Sequence, residues 1–140
     1  GDFIFVHAGI LLKHIDKISG NFITKINNSM RQYLNTGRID TNIKNILFSD
    51  SDSLLWTRKY NNPNICNSID DVKNFFKVKS IIVGHSVQEN ISPICNNSIW
   101  RVDVGLSKSM GSTKIQVLEI LDNGESLQKN NYKPYRVIDL

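Results

Sequence analysis

Two histidines stand in matching positions along the chain. Phe3-Ile-Phe-Val6 runs into His7-Ala-Gly9, and Ser80-Ile-Ile-Val83 runs into Gly84-His85-Ser86. In each case a short apolar stretch ends at an imidazole flanked by small residues. In layered α/β proteins, ligands collect outside the carboxyl ends of strands. A glycine beside the imidazole leaves room for a metal ion or a phosphate to approach. Neutral imidazole is a favoured ligand of first-row metals. Each segment also admits a plainer reading, in which the ring caps a strand or satisfies a backbone carbonyl. The recurrence of the pattern is what brings the metal reading level with it. The third histidine, His14, follows Lys13 in a polar stretch and is expected at the surface.

Two further groups have the chemistry to take part. Arg58 closes Leu55-Trp-Thr-Arg58, and its planar guanidinium suits a phosphate or a carboxylate, or else a stacked structural role against an aromatic ring. Asp103 lies in Val102-Asp-Val-Gly105, a carboxylate at an apolar strand end that needs a partner. It either orients a ligand histidine from behind or caps the turn that follows.

The elements that must position these residues are legible in part. Phe3–Val6 and Lys79–Val83 read as strands, the second as an unbroken apolar run suited to burial on both faces. Phe22, Ile26, Met30 and Tyr33 recur at helical spacing within a helix from Ser19 to Leu34, with Ser19 or Asn21 as its cap and Gly37 as its stop. Residues 39–52 resist assignment, Ser49–Ser53 reads as a loop, and Asn61-Asn-Pro63 as a break. Ser68 followed by Asp71 reads as the start of a helix that carries Val72, Phe75 and Phe76. Ile91–Cys95 and Ile99–Val104 flank an Asn96-Asn97 turn, a hairpin pattern. Ile115–Leu121, closed by Asp122-Asn-Gly124, and Tyr135–Ile138 read as late strands. Helices lie early and strands cluster late, so the chain reads as α/β with a mostly antiparallel late part.

The chain has 140 residues, 40% of them hydrophobic, enough for one compact domain or a large piece of one. Its net charge of +4 is spread along the chain, from Lys13 through Arg38 and Lys77 to Lys114, without the basic cluster of a nucleic-acid binder. No apolar run approaches the roughly 20 residues of a membrane span. Cys66 and Cys95, the only cysteines, are far apart. They form neither a zinc motif nor a disulfide framework and are expected as two thiols in a reducing compartment. The abrupt opening at Gly1-Asp2, with no initiator Met, reads as a cut from a longer polypeptide.

Taken in order, His7-Ala-Gly-Ile10, Leu55-Trp-Thr-Arg58, Val83-Gly-His-Ser-Val-Gln88 and Trp100-Arg-Val-Asp-Val-Gly-Leu-Ser107 resemble the second half of the phosphoprotein phosphatases, within the calcineurin-like metallophosphoesterases. The resemblance is nearest to the Shewanella-like branch and runs from Phe3 to about Ile120. It implies that residues 1–140 are a partial domain, the carboxy-terminal half of a layered α/β/β/α sandwich. It implies His7 and His85 as ligands of one of two divalent metal ions (Mn, Fe or Zn), Arg58 as the phosphate-binding arginine, and Asp103 as support behind the ligands. Ala8 and Ser86 stand where this family has Gly and Thr. The motifs Gly-Asp-x-His-Gly, Gly-Asp-x-x-Asp-Arg-Gly and Gly-Asn-His-Glu, which carry the remaining ligands in that family, do not occur in the chain.

The function this implies is hydrolysis of phosphate monoesters by attack of a metal-bridging hydroxide. The substrate is expected to be a phosphorylated protein or a small phosphoester, of serine/threonine type with tyrosine left open. The expected location is cytoplasmic, with no nucleic-acid or membrane partner. The isolated chain, short of ligands and of the missing amino-terminal half, is expected to be inactive and poorly soluble. Two other readings stay open: a degenerate, non-catalytic binding module on the same fold, and a related phosphodiesterase or nucleotidase.

Overall fold

The computed structural model describes residues 2–110, 115–121 and 135–140, and the turn expected at residues 122–124 lies outside them. The core is a four-stranded sheet built from β1 (Phe3–Val6), β2 (Ser80–Val83), β3 (Ser92–Ile94) and β4 (Ile99–Arg101), in the spatial order β1-β2-β4-β3. β1 pairs with β2 in parallel, Phe3 opposite Ser80 and Val6 opposite Val83. β2 pairs with β4 in parallel, and β3 folds back on β4 as the antiparallel hairpin that the Asn96-Asn97 turn predicts. β2 is buried along its whole length, in keeping with its unbroken apolar run. A second, antiparallel pair joins β5 (Gln116–Ile120) to β6 (Tyr135–Asp139). The late part is thus antiparallel in the β3–β4 hairpin and the β5–β6 pair, while β2 pairs in parallel with both β4 and the edge strand β1.

Side-chain alternation sorts the sheet into two faces. Ile4, Ile81, Val83 and Ile99 join the helical residues Phe22, Ile26, Ile69 and Val72 in the main core. Ile82 and Trp100 point the other way and pack with Leu118, Ile120 and Tyr135 of the second sheet. Helices cover one face of the main sheet and the β5–β6 pair covers part of the other.

The helices follow local signals. After the single turn α1 (Leu12–Ile15), α2 spans Phe22–Thr36. Asn21 is its cap, its side chain accepting a hydrogen bond from Thr24 N at 3.0 Å, and Gly37 ends it in the left-handed conformation with φ of 69°. The unassigned stretch resolves into a short helix α3 (Thr41–Lys44), capped by Asp40, and a wider π-helical turn over Asn45–Ser49. α4 spans Cys66–Phe76 and so begins ahead of Ser68. Ser68 is not its cap. Asn62 caps a tight turn at Pro63–Ile65 that feeds straight into the helix, and Ser68 Oγ donates back to Ile65 O.

Two further expectations are overturned. His14 is buried, with 3% of its surface exposed, because α1 turns it inward and its Nδ1 accepts a hydrogen bond from Leu11 N at 3.1 Å. Burial, together with the positive charges of Lys13 and Lys17, pulls its pKa down to about 4. Cys66 and Cys95 are joined in a disulfide, with Cα atoms 5.2 Å apart. Their 29-residue separation hides the pairing, which arises because the start of α4 lies against the β3–β4 turn. This removes the free thiols on which the reducing compartment rested.

One glycine has no substitute. A Cβ on Gly9 would sit 2.5 Å from the ring of Tyr60, which is buried and whose hydroxyl donates to Ile10 O at 2.6 Å. Gly9→Ala must therefore displace the ring, and we expect a loss of about 1–3 kcal/mol in urea unfolding. The pH dependence of stability has a definite sign. The neutral His14 ring is favoured in the fold, so its stabilisation is complete above about pH 6.5 and is lost as the pH falls toward about 4. Urea midpoints measured from pH 7.5 to 4.5 should fall across this window, and less steeply in His14→Asn.

Candidate functional site

The parallel register of β1 and β2 carries His7 and His85 to one place. Their backbones continue together beyond the strand ends, Gly84 N donating to His7 O at 2.9 Å. His85 sits at the centre of a three-residue turn closed by Ser86 N donating to Gly84 O at 2.7 Å, with φ of 64°. A positive φ is uncommon for a non-glycine residue, and here the tight turn holds His85 in it. The result is that His7 Nε2 and His85 Nδ1 lie 3.1 Å apart. Two nitrogens at neighbouring corners around a tetrahedral ion, each bonded at about 2.0–2.1 Å, stand roughly 3.3 Å apart. The pair therefore fits two positions of one ion's shell. Among the described residues, no third His, Cys, Asp or Glu completes a metal group.

The surroundings disfavour the protonated form of His85. Burial lowers its pKa first, then the positive charge of Arg58 and the neighbouring His7. The Trp56 carbonyl acts the other way but offers no well-aligned bond, and His85 Nε2 is buried without a hydrogen-bond partner among the described residues. A neutral ring with Nδ1 facing His7 suits a ligand better than a strand cap.

Arg58 arrives from the loop after Ser53. Ala8 N and Gly9 N both bond Leu54 O, at 3.0 and 3.4 Å, and this ties the loop to the His7 segment. Ser53 and Thr57 are buried and anchor it, while Trp56 and Arg58 point outward. The Trp56 ring meets the His85 ring edge-on, with centres 5.4 Å apart. Arg58 Nη1 donates to Ser86 Oγ at 3.2 Å, so the arginine rests on the residue next to His85. Nearby charges are already matched, since Asp52 pairs with Lys59 at 2.7 Å and Lys13 at 3.1 Å. Among the described residues Arg58 makes no ion pair. An open hollow of about 590 Å³ is lined by Ser51, Asp52, Trp56, Arg58, Lys59 and Asn62, with the Asp52 carboxylate already paired to Lys13 and Lys59. An exposed guanidinium at such a hollow can take an anion.

Asp103 is near enough for its charge to favour the protonated form of His85, but its Oδ1 accepts from Gly105 N at 2.9 Å and caps its own turn. Its backbone does more, because Gln88 N donates to Asp103 O at 2.8 Å and fastens the segment after His85 to the stretch just beyond β4. The structure thus gathers His7, His85 and Arg58, and sets Asp103 at the margin. Ser86 as the rest for Arg58, and Trp56 as the wall beside His85, are not evident from motif reading. Their only signal was adjacency to His85 and Arg58.

This is a mixed α/β fold with two imidazoles at the carboxyl ends of its parallel strands and an arginine on a loop beside them. No family model matches the chain. It is 30% identical over 138 residues to Shewanella-like protein phosphatase 2 of Arabidopsis thaliana, an alignment covering 94% of this chain and 34% of that protein. It is 29% identical over 156 residues to an uncharacterized protein of Acanthamoeba polyphaga mimivirus, covering 88% of this chain and 62% of that one. The fold is similar to that of the cold-active protein-tyrosine phosphatase of a psychrophilic Shewanella, with a TM-score of 0.64 and 24% identity over 81% of this chain and 34% of the other. The chain spans about a third of the length of the Arabidopsis protein and of the Shewanella structure. No helix among the described residues is long and apolar enough to cross a membrane.

Arg58 and Ser86 form a pair that can be separated. Ser86→Ala frees the guanidinium, and Ser86→Thr keeps the hydroxyl. Inorganic phosphate binding, followed by titration calorimetry on the full-length polypeptide, should weaken about tenfold in Ser86→Ala, as for one hydrogen bond to a charged group, and stay close to the parent in Ser86→Thr.

Proposed function

We propose that the whole polypeptide is a metal-dependent phosphatase acting on phosphate monoesters, on phosphoproteins or small phosphoesters, and that this chain supplies one part of its site. The observation that carries the reading is the approach of His7 Nε2 and His85 Nδ1 to 3.1 Å, with Arg58 resting on Ser86 beside them. The similarity to a named protein phosphatase supports it.

In this reading His7 and His85 hold one of two divalent ions, of the manganese, iron or zinc type. Such ions, when bound, supply Lewis acidity toward phosphate oxygens and lower the pKa of water. The chain's own groups do the rest. Burial and the charge of Arg58 disfavour protonation of His85, which leaves its lone pair free to donate. Arg58 neutralises charge on the phosphate oxygens, and Ser86 fixes where its guanidinium points. Trp56 shields the far side of the His85 ring.

The remaining ligands belong to the part of the polypeptide that the relatives have in addition. β1 is an edge of the main sheet, Phe5 on it is 69% exposed, and an apolar hollow of about 390 Å³ lies beside it, bordered by Phe5, His7, Ile23 and Met30. In the proposed whole protein this edge is covered by the amino-terminal half of a layered α/β/β/α sandwich. An uncovered parallel edge and apolar patch favour association. The isolated chain is accordingly expected to aggregate and to release phosphate at background rates. A monodisperse, cooperatively unfolding isolated chain would count against the covering.

The decisive assay uses the polypeptide extended to the length of its relatives, with metal content and rate on p-nitrophenyl phosphate measured together. The reading predicts two ions per chain, and a fall in kcat of about 10²–10³-fold in Arg58→Ala. His85→Ala should lose both activity and one ion. A well-folded extended protein with neither metal nor activity would leave the fold as a binding module.

A further inference from the structure

The turn that links β3 to β4 holds three successive residues with positive φ, Cys95 at 53°, Asn96 at 51° and Asn97 at 66°. Asparagine tolerates this region, but cysteine has no such preference, so the backbone at Cys95 is kept there by its surroundings. Ser98 N bonds Cys95 O at 3.0 Å, Ser80 Oγ bonds Asn97 O at 2.7 Å, and Lys73 Nζ on α4 reaches Ser98 Oγ at 2.6 Å. The covalent tie is the bond from Cys95 to Cys66, the first residue of α4.

That bond closes a loop around the site. The enclosed residues 66–95 include β2, the strained turn at His85, Ser86 and Gln88. Past the turn, β4 runs along β2 with Ile99 opposite Ile81 and Arg101 opposite Val83. Val102 N then bonds Val83 O, and Gln88 N bonds Asp103 O, both at 2.8 Å. The segment after His85 is thus fastened to the stretch just beyond one end of β4, and the position of β4 is set by the turn at its other end. Both cysteines are half-buried and pack against the edge of the main core.

We propose that Cys66 and Cys95 are positioning residues for the His85 site, and that their bond is a redox-sensitive control on its order. In the oxidised form the left-handed turn is fixed, β4 keeps its register, and the His85 turn faces His7. A dithiol reductant opens it in two steps. One thiolate attacks a sulfur and forms a mixed disulfide, and the second displaces the protein sulfur, leaving two cysteine thiols and an oxidised reductant. The turn then relaxes from its left-handed run, and the segment 84–88 loosens while α2, which holds neither cysteine and meets α4 at Phe76, the end away from Cys66, does not. The link to catalysis rests on the phosphatase reading, whereas the link to local order does not.

The test uses the full-length polypeptide purified without reductant. Alkylation and mass spectrometry should find Cys66 and Cys95 paired. With dithiothreitol, amide exchange in residues 80–88 and 99–104 should accelerate about tenfold or more, while Phe22–Thr36 is unchanged. Hydrolysis of p-nitrophenyl phosphate should fall by about threefold or more. The Cys66→Ser/Cys95→Ser variant should match the reduced protein and ignore dithiothreitol. Two free thiols in the untreated protein, or exchange that rises equally in α2 and the site, would overturn the proposal. Exchange that responds locally in a protein without activity in either state would uphold the redox control and remove the phosphatase reading.

Discussion

The parallel pairing of β1 with β2 is the constraint on which the rest depends. Residues at the two ends of a 78-residue separation, His7 and His85, meet only because Val6 stands opposite Val83 and the ladder continues through Gly84 N to His7 O. A slip of one residue would turn every side chain of β1 to the wrong face. It would bury Phe5, strip Ile4 from the core and separate the imidazoles. The apolar faces of Ile4, Ile81 and Val83 therefore fix the register, and the register fixes the site.

Among the described residues, Arg58 stands beside the two imidazoles without an ion pair. Lys13, Lys59 and Asp52 satisfy one another, and Lys73 is engaged with Asp70 and Ser98. Arg58 instead leans on a neutral hydroxyl, Ser86, and its charge falls on His85. The same charge that can grip an anion also helps keep the neighbouring imidazole unprotonated. The two tasks reinforce each other, and both depend on the Ser53–Thr57 turn being anchored beneath Ala8 and Gly9. The contact between Gly9 and Tyr60 explains why the His-Ala-Gly segment ends as it does.

Strands and long helices were legible because their signals are local. The run at Ile81–Val83, the periodicity from Phe22 to Tyr33, the cap at Asn21 and the Asn96-Asn97 turn each declare themselves within a few residues. The pairing of the two His segments was visible as a repeated pattern, although the distance between the rings was not. What stayed hidden depends on contacts between distant segments. The environment of His14 is set by a four-residue helix whose side chains fold under the loop at Asp52, so its polar neighbours in sequence misled. Cys66 and Cys95 sit on different elements, and nothing in their spacing shows that α4 begins against a hairpin turn. Asp103 admitted two readings, and the structure shows the turn cap directly, while its charge and its carbonyl's bond to Gln88 also bear on the His85 segment.

The central claim is that β1 and β2 present His7 and His85 as a ligand pair to a single ion. A crystal structure of the full-length polypeptide grown with Mn²⁺ and measured at the manganese absorption edge tests it directly. The account predicts an anomalous peak roughly 2.0–2.3 Å from both His7 Nε2 and His85 Nδ1. A manganese ion bound elsewhere in the protein, with the two imidazoles still hydrogen-bonded to each other, would contradict it.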